Sequence, residues 1–358
     1  MLLGAGRAHM QVLQGLARQG ADGAHVTLVA PLPYYIEAAM LPGYLAGAYA
    51  LGDIRVPLDR LLQASGASFA EAQVQSLDPV GRRVQLSSGD ALPYDVLSID
   101  AEPIMDRDAL EAWIPGAYHN ALFARPLESF VHLWPQLRAM ARERALHVAV
   151  IGCGLPGAEL AMATAQALAV PHGCHVTLLT GDAPPLLDVQ PPVLQRRLLA
   201  RLKTLNITAL QDHCVSLGEG ALQLTCGARL VCDAAIVSVG DSTPDWLLQS
   251  GVQVSEAGQP LVNERLQSAS HRQVFVAPPE APNETGAALL ANLRIALGGG
   301  AFRKAPATLS SLKVVASGGS HAIAVWGRLS LEGREVWHWK DRRDRRQLAA
   351  LVGVQGRH

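Results

Sequence analysis

The most chemically specific spacing in the chain is Gly152-Cys153-Gly154-Leu155-Pro156-Gly157. It follows Leu146-His147-Val148-Ala149-Val150-Ile151, a run of high strand propensity, and leads into Ala158-Glu159-Leu160-Ala161-Met162-Ala163, a run of helix formers. Strand, G-x-G-x-x-G and helix in that order make a dinucleotide turn. The first glycine bends the chain, the second lets backbone approach a pyrophosphate, and the third lets helix and strand touch. The phosphate charge then rests on the unpaired N–H groups of the helix N-terminus. His175-Val176-Thr177-Leu178-Leu179-Thr180 supplies the next strand. The competing reading is a helix–strand packing motif without a ligand.

A looser copy opens the chain. Met1-Leu2-Leu3 runs into Gly4-Ala5-Gly6-Arg7-Ala8-His9, followed by an apolar-periodic run from Met10 to Leu16 and the strand-like His25–Ala30. Gly4 and Gly6 keep their places, but His9 stands where the third glycine belongs, so a plain tight turn remains an alternative. Neither copy carries the acidic residue expected at the end of its second strand to bond ribose hydroxyls. Ala30 stands there in the first; Thr180-Gly181 stands there in the second, with Asp182 slightly late. NADH and NADPH are therefore not distinguished.

These residues need an α/β scaffold, and the rest of the chain provides one. At roughly 150 residues per domain, 358 residues suggest two or three domains. Each βαβ opening is followed by short alternating strands, Val74 to Leu97 and Ala221 to Val239. Hydrophobic residues make up 49% and charged residues 17%, enough apolar material for sizeable cores. Thirty basic against thirty-one acidic side chains argue against a nucleic-acid binder. Five scattered cysteines with no C-x-x-C pair argue against a disulfide framework, a structural zinc and a dithiol redox pair; the histidines lack metal-ligand spacing, so no metal site is named. No apolar run reaches the length of a membrane span and the first residues do not read as a signal peptide, so a cytosolic, reduced setting is expected. Asp100 and Glu102, close together after a strand, read either as paired acid/base groups or as exposed loop carboxylates.

The order of these segments resembles the two-dinucleotide-binding-domain flavoproteins of the pyridine nucleotide-disulfide oxidoreductase superfamily. Within it the chain is most similar to the NADH dehydrogenase-like branch related to type II NADH:quinone oxidoreductases. Met40-Leu41-Pro42-Gly43-Tyr44-Leu45-Ala46-Gly47 resembles the M-L-P-G-Y-x-A-G stretch of the flavoprotein-like domain fused to some selenide, water dikinases. Leu266-Gln267-Ser268, Val274-Phe275-Val276-Ala277 and Trp339-Lys340-Asp341 match that branch too. The resemblance implies a glutathione-reductase-like α/β fold: two Rossmann-like domains with a small C-terminal α+β region. Residues 1–122 and 235–300 would form the FAD-binding domain, 123–234 the NAD(P)H-binding domain and 301–358 the C-terminal domain.

By the same resemblance Gly4 and Gly6 hold the FAD pyrophosphate, and Gly152, Gly154 and Gly157 hold NAD(P)H. Glu159 matches an acidic residue lying near nicotinamide and flavin, and is the candidate catalytic group; a first-turn glutamate serving the helix dipole is the alternative. The chain departs from the family after V-F-x-A, where Ala277-Pro278-Pro279-Glu280 replaces Ala-Gly-Asp. Proline removes an N–H donor and fixes φ, which weakens the flavin site. The stretch from Asn283-Glu284 into the helix at Ala287 is also short for the family.

The function implied is an FAD-dependent NAD(P)H oxidoreductase passing electrons to a quinone or another small acceptor. The alternative is a catalytically silent relative that binds a nucleotide or a partner protein. Near the C-terminus Trp337, Trp339 and the arginines up to Arg346 suggest either a peripheral contact with the inner face of a membrane, a homodimer contact, or a helix packed on its own domain by its tryptophans.

Overall fold

The computed structural model describes residues 1–100, 103–182, 184–278, 285–306 and 312–353. Ten strands form two five-stranded parallel sheets. In chain order they are β1 (Leu2–Leu3), β2 (Thr27–Ala30), β3 (Ser68–Glu71), β4 (Leu97–Ile99), β5 (Ala121–Phe123), β6 (Leu146–Ile151), β7 (Cys174–Leu179), β8 (Thr208–Leu210), β9 (Ala234–Val237) and β10 (Val274–Val276). The first sheet has the order β10-β4-β1-β2-β3 and the second β5-β9-β6-β7-β8. The strands β5 and β9, which straddle the boundaries 122/123 and 234/235 that the resemblance implied, both pair within the second sheet.

In each sheet the chain leaves its central strand in one direction, through β2 and β3 or through β7 and β8. It then returns on the other side, as β4 beside β1 or β9 beside β6. Such a reversal opens a crevice at the carboxyl ends of the two adjoining strands, and open α/β sheets bind ligands there. Gly4 follows β1 and Gly152 follows β6, so both glycine turns stand at these crevices.

Alternation along the strands explains the layers. Leu2 and Leu28 face the core shared with helix α1 (Arg7–Gln19), while Leu3 and Val29 face a second core under the antiparallel strands Val74–Asp78, Arg83–Leu86 and Ala91–Pro93. Helix α1 buries Met10, Val12, Leu13 and Leu16, one apolar stripe at helical spacing. A short helix, α2 (Leu41–Leu45), contains the Pro-Gly-Tyr of the family-like stretch and packs on α3 (Gly154–Ala167). α3 buries residues on most of its circumference, as its run of alanines allows. Helix α4 (Thr285–Gly298) lies along α1, so closely that a Cβ on Gly286 would meet Gln11.

The C-terminal part is an antiparallel sheet of β11 (Leu312–Ala316), β12 (Ala322–Trp326) and β13 (Leu329–Gly333), followed by α5 (Arg334–Val352). Trp337 is buried in α5, stacked 5.9 Å from Tyr49 and against Gly43, while Trp339 faces outward under Arg343. The packed-helix alternative thus describes Trp337 and not Trp339. All five cysteines are free.

Candidate functional site

The second glycine turn has the geometry that its spacing predicts. Gly157 lies so close to Gly152 that a Cβ on it would stand 2.7 Å from the Gly152 carbonyl carbon and oxygen. Only glycine permits this contact of helix α3 with the end of β6. Gly154 has φ +63°, in the left-handed region. Across the crevice, Ser238 follows β9 and donates its N–H to the Ile151 carbonyl at 2.8 Å. One carboxylate approaches this turn: a Cβ on Gly154 would lie 2.8 Å from an Asp188 oxygen. Asp188 is an exposed loop residue, and no hydrogen bond holds its side chain among the described residues. Asp182, the late acidic residue, points away into solvent and pairs with His213 at 3.0 Å.

The first turn also joins strand to helix through glycines, with the left-handed glycine at Gly4, and it fills the space. Gly4 has φ +90°, and its N–H donates to the Val29 carbonyl at 2.8 Å. Gly6 caps α1 without a side chain. The pairing of Leu3 with Ile99 puts Asp100 directly beside the turn, with its N–H on the Leu3 carbonyl at 2.9 Å. A Cβ on Gly6 would come within 2.4 Å of Asp100 Oδ1, and the His9 N–H donates to Asp100 Oδ2 at 2.9 Å. The His9 imidazole is fully buried, with Nδ1 2.7 Å from the Gly4 carbonyl and Nε2 2.8 Å from Ser98 Oγ. A carbonyl can only accept, so Nδ1 carries the proton and Nε2 accepts from the Ser98 hydroxyl. Burial holds the His9 pKa below the ordinary 6.5 against the pull of Asp100, so the ring is neutral at pH 7. Asp100 is therefore half-buried rather than an exposed loop carboxylate; Glu102, its partner in the acid/base alternative, lies outside the described residues. So do Pro279, Glu280, Asn283 and Glu284, which carry the expected flavin-side departures. Pro278 is exposed, and the helix expected at Ala287 is α4.

Glu159 lies beyond the first turn of α3, which contains no acidic residue, so the helix-dipole alternative does not describe it. Its Oε1 accepts the Ala316 N–H from β11 at 3.1 Å. Burial pushes its pKa up to about 7, opposed by the Lys340 ammonium and by that N–H. Lys340 is itself buried in α5, bonded to the Ala39 carbonyl at 2.7 Å and to Asp344 Oδ2 at 2.6 Å. Sequence reading did not foresee this junction, whose members come from three separate parts of the chain. It missed Glu37 as well, an acidic residue after β2 that is buried, takes the Ala39 N–H at 3.2 Å and pairs with Arg7 at 3.3 Å. A cavity of about 370 Å³ lined by Met1, Val12, Leu16, Tyr94, Leu290 and Arg294 lies at the amino end of β1, away from both turns. We assign it no part in the site.

Residues 1–278 match the pyridine nucleotide-disulphide oxidoreductase family, and the chain belongs to that family. It is 30% identical over 100 residues to a type II NADH:quinone oxidoreductase of Staphylococcus saprophyticus subsp. saprophyticus, covering 28% of this chain and 25% of that one. A type II NADH:quinone oxidoreductase of Staphylococcus epidermidis is 25% identical over 165 residues, 44% of this chain and 41% of that one. The matched segments thus span well under half of these relatives' length. Among solved structures, the sulfide:quinone oxidoreductase of Aquifex aeolicus superposes with a TM-score of 0.80 at 17% identity, covering 99% of this chain and 91% of that chain. NDH2 from Plasmodium falciparum in complex with NADH gives 0.76 at 12% identity, covering 99% and 97%. These two likenesses establish the fold: an α/β flavoprotein-type architecture with Rossmann-like sheets.

Proposed function

We propose that the chain is an NAD(P)H-dependent flavoprotein oxidoreductase that binds NAD(P)H at Gly152, Gly154 and Gly157. The observation that carries this reading is the contact of Gly157 with Gly152, which brings the N-terminus of α3 to the mouth of the crevice between β6 and β9. FAD is the group expected at the first turn. The glycines of the turn, Gly4 with φ +90° and Gly6 at the α1 N-terminus, fit its pyrophosphate, while the Asp100 carboxylate now stands in that place. When bound, FAD supplies a two-electron carrier between the nicotinamide and the acceptor.

This chain's own residues do the rest. The α3 N-terminus faces the phosphates, and Glu159 takes or gives a proton at its free oxygen, Oε2, close to pH 7. Lys340 offsets the charge that Glu159 acquires on losing that proton. A quinone is the acceptor we favour, because the curated relatives are named for it. We carry the three-part division forward with the junctions drawn so that β5 and β9 stay in the NAD(P)H-binding unit. No helix among the described residues is long and apolar enough to cross a membrane. A peripheral membrane contact would use the outward side of α5, where Trp339 lies.

Gly154→Asp tests the reading: it adds a like charge in the pyrophosphate space and should abolish NAD(P)H binding by titration calorimetry. Unchanged affinity would remove residues 152–157 from the site. The silent-relative reading is favoured by one feature, the filling of the first turn by His9 and Asp100. An absorbance spectrum of the purified protein separates the two. Flavin bands that bleach with NADH support the oxidoreductase; a colourless protein that refuses added FAD supports the alternative.

A further inference from the structure

We propose that Asp100 is an internal substitute for the cofactor's phosphate: its carboxylate occupies the seat that Gly6 leaves on the α1 N-terminus, and a flavin dinucleotide enters only by displacing it. This rests on reading residues 4–9 as the flavin turn. The two turns can be superposed by their strand registers. Leu3 pairs with Ile99, and Ile151 pairs with Val237. Gly4 and Gly6 thus correspond to Gly152 and Gly154, and Asp100 corresponds to Ser238. A glycine at Gly6 leaves room for a ligand to reach the backbone. Here that room holds an anion of the protein itself, 2.4 Å from the place of a Cβ. The anion is held as a phosphate would be, accepting a backbone N–H at 2.9 Å in the first turn of a 13-residue helix.

Two consequences follow. One N–H of the α1 terminus, that of His9, is satisfied without a cofactor. A pyrophosphate and this carboxylate cannot share the seat, since like charges at such separations repel strongly even at the effective dielectric of a protein. The sheet does not depend on the carboxylate, because the strand is held by the Asp100 backbone N–H on the Leu3 carbonyl.

The test titrates FAD into the full-length protein and its Asp100→Ala and Asp100→Asn variants, following flavin fluorescence, with NADH as the control ligand. Removing the carboxylate should tighten FAD by at least about tenfold, with a smaller gain for the asparagine, which loses charge but keeps bulk. Riboflavin, which has no pyrophosphate, should show no gain, and NADH affinity should not change. Equal or weaker FAD binding in Asp100→Asn, which keeps an acceptor for the His9 N–H and so preserves the helix cap, overturns the proposal while leaving the flavin reading intact. FAD binding absent from wild type and variants alike, with NADH binding retained, overturns both.

Discussion

At the second turn a glycine touches a glycine, and the residue across the crevice is a serine. At the first turn those two places hold an imidazole and a carboxylate. The backbones correspond strand for strand, and both belong to parallel sheets that reverse direction at the same relative position. The left-handed glycine shifts from Gly4 in the first turn to Gly154 in the second, and the side chains separate two ways of satisfying a helix N-terminus: with space kept for a ligand, or with groups of the protein itself. Even one turn further into the helices the parallel continues. Gln11 and Glu159 stand at the same distance from the second glycine, and each accepts a backbone N–H from a later element, Gly286 at 2.9 Å and Ala316 at 3.1 Å. Only the glutamate can exchange a proton near neutrality.

The contrast can be broken from either side. Gly157→Val drives branched methyl groups into the Gly152 carbonyl, and we expect measurable NAD(P)H binding to disappear from calorimetry along with a fall in melting temperature. Full retention of affinity would mean that the turn adjusts and that its close packing is not what positions a ligand. In the other turn His9→Gly restores the fingerprint but empties a buried imidazole and strands Ser98 and the Gly4 carbonyl. Urea denaturation should show a loss of about 2–4 kcal/mol. A neutral result would make the imidazole a passive filler.

Ser238→Asp transfers the first turn's carboxylate to the second and should weaken NAD(P)H by about tenfold; no change in the dissociation constant would undercut the correspondence of Asp100 with Ser238. Glu159→Gln addresses the proton-exchanging position. Because the folded chain raises the Glu159 pKa from the ordinary 4.5 to about 7, it favours the protonated form. Stability from this group is complete below pH 4.5 and is lost as pH rises to about 7. The amide should flatten melting temperature against pH across that window, and an unaltered slope would place the titration elsewhere. The smallest effect belongs to Asp188→Ala. Removing an exposed carboxylate from the approach to Gly154 should tighten NAD(P)H about two- to threefold, more at low salt than at high.

Much of the fold could be read from local pattern. The strand Leu146–Ile151, its glycines and the helix after them are contiguous, so spacing alone specifies them. What spacing could not supply was pairing at a distance. Asp100 reads as a loop carboxylate until β4 is set beside β1, which brings it to His9 across 91 residues of sequence. Glu159 reads as a candidate catalytic group or a helix-dipole charge, and neither reading shows that β11, 157 residues later, presents the Ala316 N–H to it. The tryptophans of α5 left a surface contact and a packed helix both open because composition does not say which face a helix buries. Stacking on Tyr49 decides it for Trp337.

Helix α5 also bears on how the molecule can be cut. Its Lys340 reaches the Ala39 carbonyl, its Trp337 covers Gly43 and Tyr49, and its Gln347 receives a hydrogen bond from Arg7 at 2.8 Å. A fragment ending before Arg334 would keep both parallel sheets yet bare an aromatic surface that now lies in the core. Such a two-sheet fragment, however natural it looks as an expression boundary, should precipitate at concentrations where the longer chain stays dispersed.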